Sequence, residues 1–186
     1  MNIKEYLKQL SIVILGILIA FWVSNLGTFF KERATQHQVL QTVLDELKDN
    51  NDAIAATRHS LDTLRMIYTK IKNREQTSNV MDIKYLGLSL RNAAYETAKY
   101  TGIFKDVDYQ LTSKIVENYE SQNTLKETEK LMFEELLLSI KNKDIQSKNV
   151  DYILLQIVNL LNNLHQFEAE QKQLIDKLIA FVGDEY

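Results

Sequence analysis

The chain opens with one long apolar segment. Leu10–Phe30 spans 21 positions without a charged side chain. As a helix rising about 1.5 Å per residue, this segment is about 30 Å long, which matches the hydrocarbon core of a bilayer. Lys8 precedes it, and Trp22 and Lys31 lie toward its far end, as interfacial residues do. The pattern predicts a transmembrane helix over residues 10–30, after a short tail of residues 1–9.

The orientation of this span is set by weak signals. A cleaved signal peptide is the alternative interpretation, but no small-x-small cleavage motif follows the apolar run. The basic residues are nearly balanced, with Lys4 and Lys8 on one side and Lys31 and Arg33 on the other. Because so short a tail usually stays in the cytoplasm, we expect the body of the chain on the extracytoplasmic side.

Two small residues lie four apart within the span. Gly16 and Ala20 share one helix face and would let a second helix approach closely, as small-xxx-small pairs do. The alternative is that both are ordinary residues of a span. They are the candidate packing face of the membrane segment.

Beyond the span, apolar residues recur in alternating steps of three and four. Such a heptad seam from about Lys31 to Arg74 predicts a long amphipathic helix that can continue the membrane helix. Asn50 and Thr57 are polar positions in this seam, and a buried Asn can fix the register or number of partner helices. The alternative is that the polar run at 49–52 marks a solvent-exposed kink.

Three more helices are predicted. A short one covers about Val80–Tyr100, and Gly102 follows it where a left-handed cap would need glycine. The third begins after Asp106 or Asp108, either of which can cap it, and ends near residue 141. The fourth starts near residue 149 and has the clearest heptad repeat: Ile153, Leu160, Phe167, Leu174 and Phe181.

These amphipathic stripes must be buried against one another. Four antiparallel helices with short connections bury them within one chain, so we predict an all-α fold. Its parts are a transmembrane helix and a four-helix bundle domain over residues 31–186 with long, coiled-coil-like helices. The first and fourth helices are longer than the second, which would leave seam surface for another chain.

Composition excludes several classes of protein. The chain has no Pro, no Cys, five Gly and a net charge of −3. Sheet proteins rich in turns, Gly-loop nucleotide folds, and disulfide or thiolate-metal scaffolds need residues that are missing here. A slightly acidic chain also lacks surplus cations for nucleic-acid phosphates. We expect no nucleic-acid partner.

Catalytic and metal-binding patterns are missing as well. His37, His59 and His165 have no ligand spacing around them, and the Glu-x-x-His order of di-iron bundles does not occur. Neither a Gly-flanked nucleophile nor a phosphate-binding loop is present. We predict no enzyme activity, no catalytic residues, no metal and no cofactor.

Aromatic residues cluster around the Gly102 turn. Such side chains can line a ligand pocket or dock a partner, or they can form the packed corner of a helix hairpin. The candidate partner or ligand contacts are Tyr95, Tyr100, Phe104, Tyr109 and Tyr119.

Three blocks of sequence resemble one known family. They are the run beginning at Ile14 (ILGILIA), the run beginning at Leu44 (LDELKDN), and the region from Ala94 to Tyr119 with AYET and TGIF. Together they resemble an uncharacterised family of single-span envelope proteins from Bacteroidota. The resemblance implies a bacterial inner-membrane protein with a cytoplasmic N-terminus and a helical periplasmic domain. It implies no particular activity.

Two functional hypotheses follow from these patterns. The first is a non-catalytic accessory subunit that contacts the lipid bilayer through its span and other envelope proteins, or copies of itself, through its bundle. The alternative is an extracytoplasmic sensory or small-ligand-binding bundle that signals through a partner. We expect the first, because a nine-residue tail is too short for a signalling output.

Overall fold

The computed structural model describes residues 3–75, 87–141 and 147–183. Its helices are α1 (Ile3–Lys72), α2 (Ala93–Thr101), α3 (Tyr109–Lys141) and α4 (Ser147–Gly183), with a 3-10 turn at Ile103–Asp106 between α2 and α3. All regular structure in the described ranges is helical, which confirms the all-α prediction. The chain divides into two compact units, residues 1–39 and 40–186.

The first unit is the N-terminal part of α1. Its apolar side chains are exposed: Ile17 is 64% and Trp22 67% accessible. The helix is long and apolar enough to cross a membrane, and none of the most apolar 18-residue stretch is buried within the chain. Beyond that stretch the Arg33 guanidinium lies 5.0 Å from the centre of the Phe29 ring. Such a cation and aromatic pair suits the border between lipid and water.

The helix α1 continues without interruption from the apolar segment to Lys72. No proline is present to remove a helical hydrogen bond along these 70 residues. The helix then ends in a Schellman motif, in which Glu75 N donates to Lys70 O and Arg74 N to Ile71 O, both at 3.0 Å. Arg74 occupies the left-handed position of this motif with φ 57°.

The second unit is built around α3, α4 and the part of α1 from residue 40 onward. Glu46 of α1 contacts Tyr119 of α3, and Asn50, further along α1, contacts Gln122, further along α3. These two helices therefore run parallel. Contacts with α4 run in the opposite sense, because Gln171 meets Leu47 near one end and Asp151 meets Lys72 at the other. The predicted seams fill the core. Its fully buried residues include Leu47, Ile54, Leu61, Ile115, Ile157, Leu160, Leu164 and Leu178.

The second helix of the bundle is shorter than predicted. Residues 80–86 lie outside the described ranges, and residues 87–92 are not helical, so the prediction of a helix over Val80–Tyr100 is wrong for 87–92. This non-helical segment of residues 87–92, the strap, leads into α2 antiparallel to α1: Arg91 pairs with Asn50, and Ala94, further along the chain, pairs with the earlier Glu46. Leu90 packs in the core.

The predicted helix caps are confirmed. Gly102 ends α2 in the left-handed region with φ 70°, and its N–H donates to the last carbonyls of the helix. Asp108 caps α3, because its Oδ1 accepts a hydrogen bond from Leu111 N at 3.0 Å. The fourth helix begins at Ser147, two residues before the predicted start.

Candidate functional site

Polar side chains occupy several seam positions inside the bundle. All are at most 9% exposed, and three of them, Glu46, Asn50 and Glu129, are hydrogen-bonded to the strap or to the start of α2. Buried polar groups are costly unless they are hydrogen-bonded, so their partners define what these residues do. The residues are Glu46, Asn50 and Thr57 on α1, Asn118, Gln122 and Glu129 on α3, and Gln171 on α4.

Asn50 pairs with the strap as a neighbouring strand would. Its Oδ1 accepts a hydrogen bond from Arg91 N at 2.8 Å, and its Nδ2 donates to Arg91 O at 2.8 Å. The same Nδ2 donates to Gln122 Oε1 at 3.1 Å. One carboxamide thus satisfies both backbone groups of a residue in a non-helical segment.

Glu46 caps α2 from a different helix. Its Oε2 accepts a hydrogen bond from Ala94 N at 2.9 Å, and its Oε1 accepts a longer one from Tyr95 N at 3.4 Å. Asn92, at the N-cap position, makes no capping bond through its own side chain. A carboxylate placed at the helix N-terminus also interacts favourably with the helix dipole. Glu46 therefore fixes where α2 begins.

Glu129 holds the other end of the strap. Its Oε1 accepts a hydrogen bond from Leu88 N at 2.7 Å. The strap is therefore fixed at Leu88 and Arg91, and the start of α2 at Ala94, by three side chains from two long helices. These side-chain bonds satisfy backbone groups that have no helical partner in this segment.

The aromatic candidates separate into two groups. The rings of Tyr95 and Tyr119 are stacked, with centroids 4.3 Å apart and planes 14° apart, and Phe104 lies 6.0 Å from Tyr95. These three belong to the corner where α2 meets α3. Tyr100 and Tyr109 are 84% and 83% exposed and point away from that corner. They are the two aromatic residues of the set that are accessible to a partner.

The Tyr119 hydroxyl connects the aromatic corner to the polar residues. It donates to Glu46 Oε1 at 2.7 Å. Burial raises the pKa of Tyr119 well above its ordinary value, and the hydrogen bond and negative charge of Glu46 raise it further. The hydroxyl therefore remains a neutral donor to the buried carboxylate.

A second polar contact joins α1 to α4. Glu168 accepts hydrogen bonds from Arg58 and from Lys172, the latter at 2.9 Å. The Lys172 hydrogen bond, together with the Arg58 guanidinium, lowers the pKa of Glu168, although partial burial opposes this shift. Nearby, Gln171 Nε2 donates to Leu47 O at 3.1 Å, while its buried Oε1 has no partner within the described ranges.

The remaining candidates lie apart from this site. Thr57 is fully buried, and its hydroxyl donates to Ala53 O of its own helix at 3.0 Å. Gly16 and Ala20 are exposed on the apolar part of α1, where a side chain added at Gly16 would meet nothing within 4 Å. Across the described ranges, no three His, Asp or Glu side chains form a group that could hold a metal.

Five of these polar residues, Asn118 among them, were not anticipated from the sequence. Glu46 precedes the seam residue Leu47, and Gln122 and Glu129 continue the three-and-four spacing of α3 between Ile115 and Leu136. Gln171 fills the seam position between Phe167 and Leu174. The available signal was a polar residue at an apolar register, which we had used only for Asn50 and Thr57.

Known proteins supply no further identification. A scan against protein-family models gives no match, and searches of curated proteins and of solved structures give none either.

Proposed function

We propose that the protein is a non-catalytic, membrane-anchored interaction subunit of an envelope protein complex. One observation carries this proposal: the helix that holds the exposed apolar segment also contributes residues 40–72 to the bundle core. Such a chain attaches a folded interaction domain to a bilayer without any additional element. The span and the bundle would each contact other membrane or envelope proteins, or further copies of the chain.

The surface of the bundle supports an interaction role. Its seams are filled internally, yet several large apolar side chains on α3 and α4 remain about half exposed or more. Tyr152 donates to Glu135 Oε1 at 3.3 Å, so these residues of the two helices are adjacent. Leu131 and Leu138 lie one helical turn before and after Glu135. Exposed apolar groups that cluster in this way are typical of protein-binding surfaces.

The proposed location is the bacterial inner membrane, with the N-terminus in the cytoplasm and the bundle in the periplasm. The family resemblance supports this orientation. A phosphatase reporter, active only outside the cytoplasm, and a fluorescent reporter, active only inside, are each fused after Tyr186. We expect activity from the phosphatase alone. Activity from the cytoplasmic reporter alone would contradict the orientation.

The interaction role is tested in native membranes. Tagged full-length protein is crosslinked, solubilised in mild detergent, purified and analysed by mass spectrometry and by size. We expect specific partners, or a defined oligomer of the chain, that are absent when an unrelated tagged single-span protein is purified in parallel. A monomer without any specific crosslinked partner would contradict the proposal.

A further inference from the structure

A groove runs between α3 and α4 on the outside of the bundle. Its larger section has a volume of about 400 Å³. Lys114 and Asn118 of α3 line it, together with Lys177 of α4. A second section of about 240 Å³ continues along the same two helices and shares Ser121 and Glu170 with the first. Through Asn118, which accepts a hydrogen bond from Gln122, the groove borders the buried polar residues described above.

Two lysines from different helices meet at one end of this groove. Both side chains line the same groove, and the neighbouring Lys114 side chain lowers the pKa of Lys177. Neither lysine forms an ion pair with any residue in the described ranges. Two adjacent ammonium groups repel each other, and an anion between them would remove that repulsion.

The carboxylates of the groove are engaged elsewhere. Glu117 Oε1 accepts a hydrogen bond from Ser113, and Glu170 Oε1 accepts one from Gln166, each within its own helix. Glu170 is also seven residues from Lys177, which is about 10 Å along a helix axis. Neither carboxylate forms an ion pair with Lys114 or Lys177 within the described ranges, although both line the same groove.

A buried amide lies beside the lysine pair. Asn118 is only 7% exposed, and its Oδ1 accepts a hydrogen bond from Gln122 Nε2 at 3.2 Å. This bond orients the carboxamide, and its Nδ2 has no acceptor in the described part of the chain. Asn118 thus adds a fixed neutral donor one helical turn from Lys114.

We infer that the end of the groove at Lys114, Asn118 and Lys177 binds a small oxyanion, either a phosphate or a carboxylate group, from solution. The two ammonium groups would supply charge-assisted hydrogen bonds, and the Asn118 amide a third donor that Gln122 holds in place. This inference does not depend on the proposed interaction role, because the site consists of two exposed lysines and the buried Asn118, all on α3 and α4.

Titration calorimetry on the full-length protein in detergent tests this inference. Inorganic phosphate and succinate are titrated separately at constant ionic strength, with chloride as the reference anion. We expect saturable binding of at least one of them. Lys114→Gln and Lys177→Gln should each weaken binding at least about fivefold, since each removes a charge-assisted bond.

Three further variants make the result specific. Lys177→Arg retains the charge and should retain binding, and Lys130→Gln, an exposed α3 lysine that faces Glu134, should leave it unchanged. Asn118→Leu should weaken binding while circular dichroism shows unchanged helicity. The inference is overturned if neither anion binds saturably, or if folded Lys114→Gln and Lys177→Gln proteins bind as tightly as the wild type.

Discussion

Asn50 pairs with both backbone groups of Arg91. We predict that Asn50→Leu, which preserves side-chain volume, destabilises the bundle by about 2–4 kcal/mol, because it leaves the part-buried N–H and C=O of Arg91 and the buried Gln122 Oε1 without this partner. Thr57→Val is the matched control at a buried polar position of the same seam. Its hydroxyl bonds only within its own helix, so the change should cost less than about 1 kcal/mol.

Urea unfolding of the full-length protein in detergent, followed by circular dichroism, measures both changes. Equal stability of the Asn50→Leu and Thr57→Val proteins would show that Asn50 does not hold the strap.

Tyr119 gives the second prediction at the scale of single residues. Tyr119→Phe keeps the stacked ring but removes the donor to Glu46, and should cost about 1–3 kcal/mol. Tyr109→Phe removes the hydroxyl of an exposed residue and should change the free energy of unfolding by no more than about 0.5 kcal/mol.

The pH dependence of this contribution has a definite sign. Folding raises the pKa of Tyr119. The contribution of the Tyr119 hydroxyl to the free energy of unfolding is therefore complete below the ordinary tyrosine pKa of about 10, and it declines as the pH rises above that value. Melting temperatures from pH 8 to 11 should therefore show the advantage of the wild type over Tyr119→Phe becoming smaller. A constant difference across this range would contradict a buried, neutral phenol.

At the scale of elements, the long helices could be predicted from the sequence and the strap could not. A heptad seam is a local pattern, and the burial of Leu47, Ile54 and Leu61 follows it directly. The strap depends on acceptors 41 to 49 residues away, on Glu46, Asn50 and Glu129. Local helix propensity cannot reveal such distant partners. The sequence signal for them is the presence of polar residues at seam positions.

The two left-handed helix ends should respond in opposite directions to substitution. Gly102 has φ 70° and no atom near its missing side chain, so Gly102→Ala should destabilise by about 1 kcal/mol through backbone strain alone. Arg74 is in the same region without being glycine, so Arg74→Gly should stabilise by about 0.5 kcal/mol. Thermal unfolding distinguishes the two effects, and shifts of the same sign would contradict this explanation.

The Glu168 contacts between α1 and α4 should stabilise the protein less at acid pH. Folding lowers the pKa of Glu168. The contribution of the Glu168 carboxylate to the free energy of unfolding is therefore complete above the ordinary glutamate pKa of about 4.5, and it is lost as the pH falls below that value. The difference in melting temperature between wild type and Glu168→Gln should therefore shrink from pH 6 to pH 3. Glu127→Gln changes an exposed residue and should show little difference at any pH. A Glu168→Gln difference that stays constant would contradict the role of the Arg58 and Lys172 contacts.

At the scale of the whole molecule, the sequence located the candidate site only in part. The aromatic cluster was recognised, but its division into a packed corner and two exposed tyrosines depends on where α2 ends and α3 begins. The α3–α4 groove could not be anticipated from the sequence. Its lining residues Lys114 and Lys177 are 63 residues apart, and only the antiparallel packing of α3 and α4 places them in one groove.

Membrane attachment through residues 10–30 is the premise on which the proposed function depends, and extraction of membranes with alkaline carbonate tests it most directly. We predict that the full-length protein stays in the membrane pellet. A variant with Leu15, Ile17 and Leu18 replaced by Lys should appear in the supernatant, since each charge at the centre of a span costs about 2.5–3.5 kcal/mol. Release of the unmodified protein into the supernatant would contradict a transmembrane anchor.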